Sequence, residues 1–331
     1  MDKVLITGGA GFIGFHLAKH MVEEGYRVDV TDNLSRGLRD EDFVDLCESK
    51  GIEFFECDLR DRGAIEGLLG SDYAFIFHLA AIIGVSNVLE RPYEVLRDNV
   101  EMTVNVLDLA RKQGGLKRFV FTSTSEVYAG TLKYFELPIP TPEQTPLAIT
   151  DLGHARTSYM LSKIYGEALC RQGKIPFTII RPHNVYGPRM GMSHVIPELL
   201  KKAHSAKQGD AIEVFSTDHS RTFCFVDDAV NMMRLAAENS GCENETLNIG
   251  SEQPEIIMGD LAQIIFRVVG KDLGQRVMPA TPGSPVRRCP DMKKTIRLTG
   301  YTPRVSLQEG VQSTYSWYLR QVFEGKGVCA K

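Results

Sequence analysis

Tyr159 and Lys163 lie four residues apart in a segment with helical apolar spacing, so their side chains share one face. A free phenol, with a pKa near ~10, is a poor base at neutral pH, and a lysine ammonium beneath it favours the phenolate. Such a pair can take the proton of an alcohol. Alone the signal is weak, because a surface tyrosine beside a solvated lysine has the same spacing. The run Ser123-Thr124-Ser125-Glu126-Val127-Tyr128 strengthens it. These hydroxyls follow an apolar segment over 118–122, and the carboxyl end of a parallel strand is where open α/β sheets bind ligands. Thr124 there can bond the alcohol that Tyr159 deprotonates. The plainer alternative is a polar strand exit that caps the next loop.

Oxidising an alcohol requires a hydride acceptor, and the amino-terminal segment offers a place for one. Gly8-Gly9-Ala10-Gly11-Phe12-Ile13-Gly14 follows the first apolar run and opens the first helical pattern. Glycines at 8, 11 and 14 let backbone N–H groups and a helix N-terminus approach a pyrophosphate. Asp32 ends the second apolar run, 18 residues after Gly14. A carboxylate there accepts from the adenine ribose diol and repels a 2′-phosphate, which favours NAD over NADP. Arg36 is the counter-argument, since an arginine tolerates a phosphate. Asp58, after the third run, either bonds the adenine amine or caps a helix over 60–69.

The elements that must position these residues alternate in type. Short apolar runs at 4–7, 27–31, 53–56, 75–78, 118–122 and 178–182 read as strands. Helical patterns at 13–24, 63–69, 93–112 and 158–172 lie between them. Alternation of this kind predicts an α/β fold, a Rossmann-type doubly wound parallel sheet. Prolines at 138, 140, 142 and 146 predict a long loop over 132–153, and 279–290 reads as another. The expected organisation is a Rossmann domain over 1–186 and a smaller carboxyl-terminal α/β substrate lobe over 187–323. That lobe is expected to interleave with the sheet, leaving a flexible tail over 324–331.

Composition closes off other classes. A net charge of -4 gives no support for a nucleic-acid partner. No run approaches the ~18 apolar residues of a membrane span, and no secretory signal is seen, so neither membrane nor export is expected. The seven cysteines are scattered without a CxxC pair, and the histidines lack HxxxH spacing. No metal site is expected, and a reducing cytoplasm fits best.

These segments, with His78-Leu79-Ala80-Ala81, Asn99, the run from Arg181 to Arg189, Arg221-Thr222-Phe223-Cys224-Phe225-Val226-Asp227-Asp228, Arg287-Arg288-Cys289-Pro290-Asp291 and Gly300-Tyr301-Thr302-Pro303, resemble the extended short-chain dehydrogenase/reductase family. The likeness runs from residue 2 to about residue 320. That family holds nucleotide-sugar 4-epimerases, 4,6-dehydratases and glucuronate decarboxylases. The resemblance implies a nucleotide-sugar substrate, a homodimer built through a four-helix bundle and a place in polysaccharide biosynthesis. Thr124, Tyr159 and Lys163 match the family's catalytic trio. The cofactor set implied is Gly8, Gly11, Phe12, Ile13, Gly14, Asp32, Asn33, Asp58, Leu59, Leu79, Ala80, Ala81, Asn99 and Pro182, together with Tyr159 and Lys163. The substrate set is Ser125, Asn184, Arg189, Arg221 and Arg288. A guanidinium grips phosphate oxygens through a bidentate fork, which suits Arg221 and Arg288.

Family members first make a 4-keto sugar and then diverge. Glu126 is the informative position, because Thr-Ser-Glu resembles glucuronate decarboxylases and mannose-type dehydratases, in which the glutamate acts at C5 or C6. Ala80-Ala81-Ile82-Ile83-Gly84-Val85 departs from the decarboxylase pattern, which tends to carry Ser and Pro, and Ala129 replaces a usual glycine. Epimerisation, dehydration and decarboxylation therefore all stay open. Behind them stand a sugar 4-dehydrogenase that releases its ketone, a dehydrogenase of non-sugar substrates and a non-catalytic NAD-binding protein.

Overall fold

A computed structural model of the chain describes residues 1–68, 72–280 and 284–325. The last residue of the helix expected over 63–69, and 326–331 of the expected tail, lie outside them.

Continuous apolar runs make strands that are buried on both faces, as parallel sheets require. Val4, Leu5 and Ile6 are fully buried in β1 (Lys3–Thr7). The sheet continues with β2 (Arg27–Asp32), β3 (Glu53–Glu56), β4 (Phe75–His78), β5 (Arg118–Thr122) and β6 (Phe177–Pro182), each within a residue of its expected bounds. A seventh strand, Glu245–Ile249, pairs in parallel with β6. From that edge the order is Glu245–Ile249, β6, β5, β4, β1, β2, β3. The order reverses between β1 and β4, and the crevice beyond their carboxyl ends is the ligand position of doubly wound sheets.

Helix α1 (Phe12–Glu23) follows the glycine turn, and α2 (Glu41–Lys50) precedes β3. Helix α3 (Arg62–Glu66) is capped by Asp61, whose carboxylate accepts from Gly63 and Ala64. Asp58 is therefore not the cap. Helices α4 (Val85–Glu90) and α5 (Pro92–Arg111) follow β4, and α6 (Ala129–Tyr134) occupies the first residues of the region expected to be loop. The backbone of that region passes so close to α6 that a Cβ on Gly130 would sit 1.7 Å from the Ala148 carbonyl oxygen. Helix α7 (Thr157–Gln172) then carries Tyr159 and Lys163.

The carboxyl-terminal lobe begins with α8 (Val195–Ser205) and includes helices Met258–Val269 and Leu307–Tyr318. Helix α9 (Val226–Glu238) returns to the large sheet, burying Val226, Ala229, Val230 and Met233. Tyr26 donates to Glu238 at 2.8 Å, tying α9 to the turn that follows α1. A small three-stranded ladder sets Arg288 in parallel register beside Arg221.

Candidate active site

A cleft of about 530 Å³ opens at the carboxyl ends of β1, β4, β5 and β6, and Phe223 and Arg288 from later in the chain help to line it. Gly8, Gly11, Phe12, Ile13, Gly14, Asp32, Asn33, Leu59, Leu79, Ala80, Ala81 and Pro182 all line it. Gly8 has φ +72°, and a Cβ there would meet the Ala80 amide at 2.8 Å. At Gly14 a Cβ would lie 2.2 Å from the Gly8 carbonyl oxygen. The turn is thus a cradle that side chains would fill, which fits a pyrophosphate at the α1 N-terminus. Asp32 accepts from the amides of Ala10 at 3.1 Å and Leu34 at 2.9 Å. Burial raises its pKa, while those amides pull it down.

Two expected cofactor contacts sit elsewhere. The Asp58 carboxylate is held by the Arg60 guanidinium at 2.5 Å, which keeps its pKa down at about 2, and it does not line the cleft. Asn99 accepts from the Ile82 amide at 2.7 Å and donates to the Ile82 carbonyl at 3.1 Å. It pins the loop after β4, and that loop forms the wall.

At the chemical end, the Thr124 hydroxyl lies beside the Tyr159 phenol and favours its ionised form. The Lys163 ammonium lies 5.9 Å from the Tyr159 ring centroid and donates to the Thr122 carbonyl at 2.9 Å. Burial pushes Tyr159 well above the ordinary phenol range, opposed by Thr124 and by the charge of Arg36. Lys163 is pushed down to about 8 by the same desolvation. The side chains alone therefore do not lower the phenol, and the lysine is expected to do so only together with the charge of a bound cofactor. An oxidised nicotinamide is cationic, and its charge is what the phenolate still requires.

Glu126, Ser125 and Asn184 also line the cleft, and Arg288 reaches it from the smaller lobe to donate to Glu126 at 2.9 Å. Two other substrate arginines are committed differently. Arg189 borders the cleft but is ion-paired with Asp40 at 2.6 Å and stacked 4.1 Å over Phe15. It ties the lobes together. Arg221 donates to the carbonyls of Ser220 at 2.6 Å, Val286 at 3.2 Å and Pro285, and to the Ser284 hydroxyl at 2.9 Å. It braces the 284–286 segment beneath Arg288 and stands outside the cleft lining.

Sequence reasoning missed Gly37, Arg36 as a cleft residue, and a buried polar scaffold. A Cβ on Gly37 would meet both Asp32 carboxylate oxygens at 2.8 Å, so only a glycine passes there. Behind the Thr124–Glu126 segment, Ser123 donates to Glu167 at 2.6 Å and Arg181 grips the same carboxylate at 2.6 Å. Arg181 also donates to the Tyr128 hydroxyl at 2.7 Å. An arginine inside an otherwise apolar strand was the available signal, since a buried cation demands a partner.

Among the described residues, no helix is long and apolar enough to cross a membrane. The profile of the NAD dependent epimerase/dehydratase family matches residues 4–250. The chain is 33% identical to a UDP-N-acetyl-alpha-D-glucosaminuronate decarboxylase of Bacillus cytotoxicus, over 96% of this chain and 97% of that protein. Among solved structures it resembles a UDP-glucose 4-epimerase of Thermotoga maritima with UDP-glucose (TM-score 0.82, 27% identity, covering 96% of this chain and 98% of that one). It also resembles a UDP-glucuronic acid 4-epimerase of Bacillus cereus in complex with UDP-glucuronic acid and NAD (TM-score 0.78, 25% identity, covering 95% and 98%). With its glycine cradle, Asp32 and the Thr124/Tyr159/Lys163 trio on one cleft, the chain belongs to the NAD dependent epimerase/dehydratase family, as an NAD-dependent enzyme of nucleotide-sugar modification.

Proposed function

We propose that this enzyme decarboxylates a UDP-linked uronic acid after oxidising its C4 hydroxyl. The observation that carries the reading is the Glu126–Arg288 pair in the cleft that Tyr159 lines, a carboxylate close enough to act on the phenol by its charge, which supports a proton donor to C5. The uronate decarboxylase and uronate epimerase among its relatives support the substrate class.

When bound, NAD supplies the hydride acceptor that turns the C4 carbinol into a ketone. Tyr159, with the Thr124 hydroxyl beside it, takes the C4 hydroxyl proton. The C4 ketone makes the C6 carboxylate a β-keto acid. Cleavage of the C5–C6 bond releases CO2, and the electron pair moves through C5 and C4 onto the oxygen. Tyr159 and Thr124 sit to hydrogen-bond that oxyanion. Glu126, held by Arg288, takes a proton from solvent and passes it to C5, which regenerates the carboxylate. Return of the hydride to C4, with the Tyr159 proton going back to the C4 oxygen, gives a UDP-pentose suited to polysaccharide assembly, and the enzyme works in the cytoplasm as a homodimer. Exposed Leu89, Tyr93 and Tyr165 on α4, α5 and α7 support that pairing.

The test is incubation with UDP-glucuronate and UDP-N-acetylglucosaminuronate. Stoichiometric CO2 release with a UDP-pentose product is expected. Conversion to the C4 epimer without CO2 would make the enzyme a uronate epimerase instead. Accumulating NADH would make it a dehydrogenase.

A further inference from the structure

We propose that Arg36 is the specificity-determining residue, its guanidinium binding the carboxylate of the uronic acid in the cleft wall beside Tyr159. The inference rests on the substrate class proposed above and names the group that selects it.

Arg36 follows β2 and lines the cleft together with Tyr159, His194 and Ile83. Its Nη1 is buried and has no hydrogen-bond partner. The guanidinium lies against the bare α-carbon of Gly84, where a Cβ would sit 3.4 Å from Nη1. The other cleft cations are already engaged: Lys163 with the Thr122 carbonyl, Arg189 with Asp40, and Arg288 with Glu126. Desolvation and the charge of Arg36 lower the pKa of His194. Arg36 is thus a half-buried cation with an unused donor, an arrangement that costs free energy until an anion meets it.

Its position decides which anion. The glycine turn and the α1 N-terminus already provide for a pyrophosphate. Arg36 instead faces the catalytic end, where its charge acts on Tyr159 and His194. A sugar whose C4 hydroxyl meets Tyr159 has C6 two bonds away, within reach of the walls that flank the phenol, Arg36 among them. Around the guanidinium the loop after β4 offers Ile82, Ile83 and Gly84, and the one side-chain donor beside Gly84, the Asn87 amide, is already given to the Ile83 carbonyl at 2.9 Å. A C6 carboxylate there finds its fork in Arg36, and a C6 hydroxymethyl gains far less.

The test is calorimetric titration of NAD-loaded protein in a Tyr159→Phe background, which blocks turnover, with UDP-glucuronate and UDP-glucose. The parent is expected to prefer the uronate. Adding Arg36→Gln should weaken uronate binding by about 10- to 100-fold, with UDP-glucose affinity and bound NAD unchanged. Equal weakening of both sugars, or loss of NAD, assigns Arg36 to a diphosphate and overturns the proposal. A full uronate preference in the Arg36→Gln protein overturns it too, while leaving the substrate class standing. No preference in the parent removes both.

Discussion

Arg288 donates to the Glu126 carboxylate at 2.9 Å across 162 residues of sequence, joining the smaller lobe to the end of β5. The contact brings the carboxylate proposed as the C5 proton donor and the guanidinium that holds it to one cleft. Glu126→Gln is expected to keep the first half-reaction and lose the second. NADH should appear on mixing with UDP-glucuronate, while formation of the UDP-pentose falls by about 10²- to 10⁴-fold. Rapid-mixing absorbance with chromatography of the quenched product separates the two, and equal loss of both would remove Glu126 from the second step.

Lys163 carries a cost that its chemistry requires. Its depression to about 8 corresponds to roughly 3 kcal/mol against the charged form, offset by about 1 kcal/mol from the bond to Thr122. Lys163→Met should therefore raise the unfolding free energy at pH 7 by about 1–3 kcal/mol while abolishing turnover. The sign with pH follows from proton counts. Above about 8 the folded wild type sheds a proton that the unfolded chain keeps, so wild-type stability rises. The variant's advantage should shrink toward the ordinary lysine pKa. Denaturant melts across that window would show an advantage that grows instead if the desolvation argument is wrong.

Gly37 should be intolerant of a methyl group. Gly37→Ala drives a Cβ into the Asp32 carboxylate, whose two oxygens organise the turn at Ala10 and Leu34. NAD affinity should drop roughly tenfold or more, with little change in melting temperature. Purified protein that retains its normal NAD content would contradict this.

The Arg181–Glu167 pair is nearly solvent-free, at 3% and 5% side-chain exposure. Arg181→Met leaves Glu167 charged and buried, at a cost of about 3–5 kcal/mol. Chemical denaturation measures it directly. A near-neutral outcome would mean that Glu167 takes up a proton and that Ser123 alone holds it.

Legibility in the sequence followed the range of the interactions. Strands β1 to β6 were readable because burial on both faces writes an uninterrupted apolar run. The glycine cradle and the Tyr159/Lys163 spacing were readable because turn and helix geometry are local. Strand Glu245–Ile249 was not, since nothing nearby announces which edge it joins. Asp58 and Asn99 were assigned to the cofactor by position, yet their side chains answer to Arg60 and Ile82, partners that only the folded chain reveals. Arg189 and Arg221 teach the same lesson: residue type tells what a guanidinium can grip, and packing decides what it does grip. Gly37 was hidden because its reason is an approach to Asp32 rather than a turn of its own.

The strand Glu245–Ile249 and helix α9 both belong to the second half of the sequence and both finish the first half's sheet. The two lobes are laced together like a buckle, and no cut near residue 186 yields two intact pieces. Exchange of whole lobes between relatives would tear the nucleotide-binding sheet along β6. A change of sugar is therefore expected from altered cleft walls, at the loop after β4 and at the proposed contacts Arg36 and Arg288, on a scaffold that stays in one piece.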